Sequence, residues 1–197
     1  MKRAVITLLI LLFMTPVLIQ AVSAAGNERE HADYIVSVFN EENGLPTGEA
    51  NAVLQTKNGY IWIGSYGGLI RYDGSAFVDF SDRLSSSAVR ALYESRDGTL
   101  YIGTNDAGAF SFRNDVFTSL PTEDSERYLC IRAFAESSSG TVYAVSTSGA
   151  VKLGDTSAEP FMFSELHGAQ FKGIAVDSAD NIWAMSDAGE LFVFNED

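Results

Sequence analysis

Counting back eight residues from each of four recurrent turn positions, Gly59, Gly98, Gly140 and Asp180, leads to Asn51, Arg90, Arg132 and Lys172. Three cations therefore share one repeat-equivalent position. Guanidinium and ammonium groups gathered at one rim would hold an anion through charge-assisted hydrogen bonds, and an acidic sugar or similar small ligand suits that chemistry. The competing reading is that each cation is matched by a nearby carboxylate, with Glu94 and Glu136 the obvious partners. The exposed aromatic expected on the same face is Tyr66.

Catalytic chemistry has poorer candidates. A hydrolase or lyase needs a positioned general base or a metal cluster. The two histidines, His31 and His167, have no repeated partner, and neither a G-x-S-x-G nor an H-E-x-x-H pattern occurs. No catalytic residue, metal site or cofactor is expected. Cys130, the single cysteine, cannot form an intramolecular disulfide, and its context "YLCIRAF" reads as a strand interior with a buried thiol.

What must position the basic residues is a repeat. Trp62, Tyr101, Tyr143 and Trp183 lie 39, 42 and 40 residues apart, in the frames "NGYIWIGSYGGLIRY", "DGTLYIGTNDAGAFSF", "SGTVYAVSTSGAVKL" and "DNIWAMSDAGELFVF". A period of roughly 40 residues with four short strand-like runs per unit is the pattern of a propeller blade. In the first unit the runs are "ANAVLQT", "YIWIGS", "GLIRYD" and "AFVDFS". Asn58-Gly59 and Asp97-Gly98 predict type I′ hairpins between the first and second strands, and Asp73-Gly74 a turn between the third and fourth.

The expected fold is all-β: a β-propeller of about four four-stranded antiparallel blades, near 50–80, 88–120, 130–163 and 171–195. The segment "DYIVSVF" at 33–39 resembles an extra outer strand, and the last unit ends after its third. Two arrangements stay open. Either that segment completes the last blade and closes a four-bladed ring, or the chain is the opening segment of a larger propeller.

The N-terminus, "MKRAVITLLILLFMTPVLIQAVSAAG", combines two early cations, an apolar run and small residues, the layout of a secretory signal peptide or signal anchor over 1–25. The remainder is expected to be exported, at the periplasmic or extracellular face of a membrane. A formal net charge of −13 argues against nucleic acid as a partner, since phosphates must be neutralised by clustered basic residues.

The stretch 40–82, "NEENGLPTGEANAVLQTKNGYIWIGSYGGLIRYDGSAFVDFSD", resembles the two-component regulator propeller repeat. Gly44, Leu45, Pro46, Asn51, Val53, Gly59, Trp62, Gly64, Gly68, Leu69, Arg71, Tyr72, Asp73 and Gly74 fall on its pattern. The second unit keeps Gly98, Tyr101, Gly103, Thr104 and Gly108; the third and fourth lose the glycine after the aromatic, and Asp180 replaces the turn glycine.

The resemblance implies an N-terminal fragment of an extracytoplasmic sensor, whose family members precede a transmembrane helix and a histidine kinase or diguanylate cyclase output and often sense carbohydrates. The missing output domain and its transmembrane helix would be the further partners. A free-standing protein- or glycan-binding scaffold is the alternative, and a propeller lyase or hydrolase the third. Blade geometry places Tyr66, Asp106, Ser148 and Asp187 on one face, with the linkers around Arg83, Arg127 and His167.

Overall fold

The computed structural model describes residues 35–123, 126–161 and 169–195. The chain divides into two compact units, 1–38 and 39–197. Of the first, only 35–38 are described, and they carry no regular secondary structure. The expected signal helix, His31 and His167 lie outside the described residues.

The second unit is four consecutive antiparallel sheets. The first contains β1 (Ala52–Gln55), β2 (Ile61–Ser65), β3 (Gly68–Tyr72) and β4 (Phe77–Asp79). The second contains β5 (Val89–Glu94), β6 (Leu100–Thr104), β7 (Ala109–Arg113) and β8 (Val116–Leu120). The third has β9 (Ile131–Glu136), β10 (Val142–Ser146), β11 (Gly149–Leu153) and β12 (Ala158–Phe161), and the fourth has β13 (Phe171–Val176), β14 (Ile182–Ser186) and β15 (Leu191–Phe194). Within every sheet the strands lie in chain order, so each blade is an up-and-down meander.

The first strands of successive sheets lie side by side, β1 against β5, β5 against β9 and β9 against β13, while no comparable contact among the described residues joins β13 to β1. The described residues therefore do not close a four-bladed ring. Val53 on β1 and Leu191 on β15 are 70% and 61% exposed, with no further sheet among the described residues to cover them. Residues 35–39 of the expected outer strand form no strand. Phe39 packs on Tyr72 and Phe77 instead, with both ring centroids 5.3 Å away.

Alternating turns explain why the chain meanders. The turn from first to second strand differs from the expected type I′. Gly59 and Gly98 adopt positive φ (91° and 86°), but Asn58 and Asp97 do not. Gly59 N donates to Thr56 O (2.8 Å) and Thr56 N to Tyr60 O (2.9 Å), giving a three-residue loop whose last residue is left-handed. The fourth blade makes the same turn with Asp180 at φ 62°. Aspartate tolerates that region better than most side chains, which is why losing the glycine does not break the repeat.

The core consists of three layers, each between neighbouring sheets. Trp62, Leu69, Val89, Leu100 and Ile102 join the first sheet to the second; Ala91, Ala109, Ile131, Phe134 and Ala144 join the second to the third; Tyr143, Val145, Phe171, Ile182 and Ala184 join the third to the fourth. The central aromatic of one blade thus fills the space in front of the next. Trp183, with no sheet beyond it among the described residues, turns its indole N–H to Asp177 Oδ2 (2.9 Å).

Close approach is set by glycine. A Cβ on Gly64 would lie 2.5 Å from Val89 Cγ1, and one on Gly103 2.7 Å from Ile131 Cγ2. The glycine after the aromatic is therefore the seat for the first residue of the next innermost strand. In the third blade Val145 occupies that register and is fully buried in the cluster that holds Phe171.

A polar clasp repeats at the turn end of each interface. Lys57 N donates to Glu94 Oε2 (2.9 Å), and its ammonium to the carbonyls of Ser95 and Arg96 (3.1 and 2.8 Å). One blade on, Arg96 N donates to Glu136 Oε2 (2.9 Å), while its guanidinium pairs with Glu136 Oε1 (3.2 Å) and reaches Ser137 O. At the next interface Ser138 N donates to Asp180 Oδ1 (2.6 Å).

Two predictions follow from this packing. Gly64→Ala should lower stability by about 1–3 kcal/mol through overpacking, whereas Gly173→Ala, whose Cβ would meet only Met185 Cε at 3.5 Å, should stay within about 0.5 kcal/mol; urea unfolding midpoints measure both. Hydrogen bonds from Asn181 and Trp183 hold the Asp177 carboxyl down at about 2, against an ordinary 3.8. Its stabilising contribution is therefore complete above about pH 4 and lost as the pH falls towards 2. In a Trp62→Phe chain, the Trp183 indole N–H resonance should titrate with a midpoint near 2; a midpoint near 4 would refute the assignment.

Candidate basic rim

The three cations singled out by the repeat share a backbone defect as well as a register. In β5, pairing with the second strand passes from Val89–Thr104 to Ala91–Gly103; in β9 from Ile131–Ser146 to Ala133–Val145; in β13 from Phe171–Ser186 to Gly173–Met185. The residues passed over are Arg90, Arg132 and Lys172. A bulge leaves one residue outside the ladder and re-aims its side chain, so each innermost strand presents its cation at its entrance.

The neighbours at that entrance are the turns between second and third strands. Asn105 N donates to Ala88 O (2.8 Å), Thr147 N to Cys130 O (3.3 Å) and Asp187 N to Gln170 O (2.7 Å), tying each turn to the residues just ahead of the innermost strand. Ser65, Thr104, Ser146 and Ser186, all essentially inaccessible to solvent, end the second strands. The Ser65 hydroxyl donates to Gly68 O (3.2 Å) and accepts from Gly67 N (3.0 Å), and Ser146 repeats the pattern with Gly149 and Ser148. Their position, four residues beyond a first strand-two residue in every repeat, was legible in the sequence but carries no obvious chemistry there.

The rim partners are specific. Arg90 donates to Asn105 Oδ1 (3.0 Å), which also accepts from Cys130 Sγ (3.5 Å). Arg132 donates from one nitrogen to both Asp187 oxygens (3.0 and 2.8 Å), an ion pair crossing from the third sheet to the fourth. Burial disfavours its charged form, but bonds to Cys130 and Asp187 prevail and raise its pKa above the ordinary arginine value. Its Nε is buried with no hydrogen-bond partner. Asn51 spans the first interface by donating to Val89 O (3.1 Å).

Lys172 is exposed and has no hydrogen bond or ion pair among the described residues. Tyr66 is 47% exposed in the first such turn. Asp106 accepts from the Ser86 hydroxyl. The structure thus brings Asn51, Arg90, Arg132 and Lys172 to equivalent places on one rim, with Tyr66 on the turn that follows β2.

Two expectations need correction. Glu94 and Glu136 do not pair with the rim cations, because they sit at the other end of the innermost strands in the clasps with Lys57 and Arg96. Cys130 is half-exposed and lies one residue ahead of β9, so its thiol belongs to the polar rim and not to the core.

Comparison with known proteins places these features in context. Residues 44–67 and 83–106 match the profile of the two component regulator propeller family. An extracellular domain assigned to a hybrid two component system of B. thetaiotaomicron is 20% identical and superposes with a TM-score of 0.64 over 81% of this chain and 23% of that one. A second such domain from the same organism gives 20% identity and a TM-score of 0.62, over 81% and 22%. Virginiamycin B lyase from Staphylococcus aureus is 14% identical, with a TM-score of 0.58 over 77% of this chain and 57% of the lyase.

The chain therefore spans little more than half of that lyase and under a quarter of the sensor domains. No curated protein matches it. With meandering antiparallel sheets and neighbouring first strands, the chain has a β-propeller fold, and its segments 44–67 and 83–106 match the two component regulator propeller repeat.

Proposed function

We propose that the chain is an extracytoplasmic ligand-sensing propeller module of a transmembrane signalling protein, binding a small ligand of the carbohydrate class at the basic rim. The observation that carries this reading is the recurrence of Arg90, Arg132 and Lys172 at the same bulge of three successive innermost strands. The core does not require a cation there, since Asn51 fills the equivalent place in the first blade. A rim set by bulges is pre-organised, which lowers the ordering cost of binding.

The two extracellular domains of hybrid two component systems support the export and signalling parts of the proposal, and the lyase supplies the contrasting one. A binding role without catalysis suits the rim better. Its groups are the amides of Asn51 and Asn105, the Tyr66 phenol, the Cys130 thiol and three cations, and its carboxylate Asp187 is engaged by Arg132, an assembly suited to orienting and neutralising a ligand. Output would reside in another domain of the whole protein, coupled to the membrane.

Calorimetric titration of the purified chain with a panel of neutral and acidic monosaccharides tests the rim. Saturable binding of an acidic sugar at the rim should weaken at least tenfold in the Arg90→Gln, Arg132→Gln double variant, with Lys172→Gln adding a smaller loss and a shallower salt dependence. Binding that survives the double variant unchanged would refute the rim as the site.

A further inference from the structure

A second candidate site lies at the opposite end of the strands. Between the first and second sheets, on the face of the first-to-second strand turns, is a cleft of about 470 Å³. Its floor is aromatic: Trp62 and Phe112 stack edge-on with centroids 5.3 Å apart, and Tyr60 borders them. Into this cleft projects Arg71, the arginine of "GLIRYDG", which the basic rim does not use.

Arg71 is held without a carboxylate. Its guanidinium carbon lies 4.3 Å from the Tyr60 ring centroid, 5.1 Å from that of Phe80 and 5.8 Å from that of Trp62. Its Nε is buried with no hydrogen-bond partner, and no acceptor for the guanidinium is found among the described residues. Stacking on ring faces fixes the guanidinium plane and leaves its N–H edges free, the geometry in which arginine takes a carboxylate with two parallel bonds.

Arg71 is paired with Trp62 across β2 and β3, and in the second sheet Ser111 occupies that register opposite Tyr101. The register does not keep an arginine, for Lys152 stands there opposite Tyr143 in the third sheet. The cleft beside Ser111 is only about 220 Å³. The wider cleft and the arginine occur together.

Charge narrows the ligand. Glu94, Asp97, Asp115, Arg71 and Arg113 all line the cleft, and Arg113 is already matched to Asp97 (2.5 Å). Three carboxylates against two guanidiniums disfavour a multiply charged phosphate or sulfate. They suit a single carboxylate on Arg71, with hydroxyl groups donating to the remaining acceptors. A cleft of this size also falls within the range of small-molecule sites.

We propose that the cleft between the first two sheets binds a small monocarboxylate bearing hydroxyl groups, such as a uronic or aldonic acid, with Arg71 taking the carboxylate. The site is separate from the basic rim, and its test separates the two. Trp62 is the reporter, so the probe protein is the full chain carrying Trp183→Phe, titrated with D-glucuronate, D-gluconate, D-glucose and inorganic phosphate while Trp62 fluorescence and thermal midpoint are followed.

The expected result is a saturable Trp62 response to glucuronate or gluconate, with a raised thermal midpoint, and none to glucose or phosphate. Arg71→Lys, which keeps the charge and loses the planar fork, should weaken it at least tenfold; Arg90→Gln with Arg132→Gln should leave it unchanged. No response in the Trp183→Phe chain, an equal response to phosphate, or equal affinity in Arg71→Lys would overturn the proposal. A response abolished by the rim variants and retained by Arg71→Lys would overturn it too, and would assign the carboxylate to the rim.

Discussion

The close approach of neighbouring sheets through their innermost strands is the constraint on which everything else rests. Each sheet is too thin to bury its own aromatic residues, so the core exists only between sheets. Trp62 is buried because β5 and β6 stand in front of it, and Tyr143 because β13 and β14 do. Glycines 64 and 103 are the contact points at the first two interfaces, where a methyl group would collide with Val89 or Ile131.

From that contact the two ends of the strands acquire different chemistry. At the turn end, left-handed residues tighten the loops and expose backbone N–H groups, which the carboxylates of the next blade accept. Lys57, Arg96 and Ser138 each supply such a donor. Glu136 also accepts from Tyr93 (3.2 Å), and burial together with this charge pushes the tyrosine up to about 12. At the other end the ladder slips by one residue, and the slip turns a cation outward. One end therefore uses its charges to hold blades together, and the other leaves part of its charge available.

The repeat, the strand order and the rim were legible in the sequence because each rests on a short-range rule: hydrophobic runs bounded by glycine turns, and a residue type recurring at a fixed distance from the turn. The pairings of Glu94 and Glu136 were not. Sequence spacing places them close to Arg90 and Arg132, but four residues along a strand is more than 10 Å, enough to put them at opposite ends. Cys130 misled for a related reason, since an apolar context does not distinguish a strand interior from the residue just before it.

Arg71 shows the remaining division. By itself the sequence determined that the third strand-like run of the first unit carries an arginine, that four units of one kind follow each other, and that basic residues recur at one register, because periodicity 2 within strands and roughly 40 between blades fixes those relations locally. Only the tertiary structure decided that Arg71 stands over three rings without an acid, that Arg132 meets Asp187 of the next sheet, and that β13 packs on β9. Those outcomes depend on how one sheet is rotated and spaced against the next, a quantity set by packing across the interface and written in no single repeat.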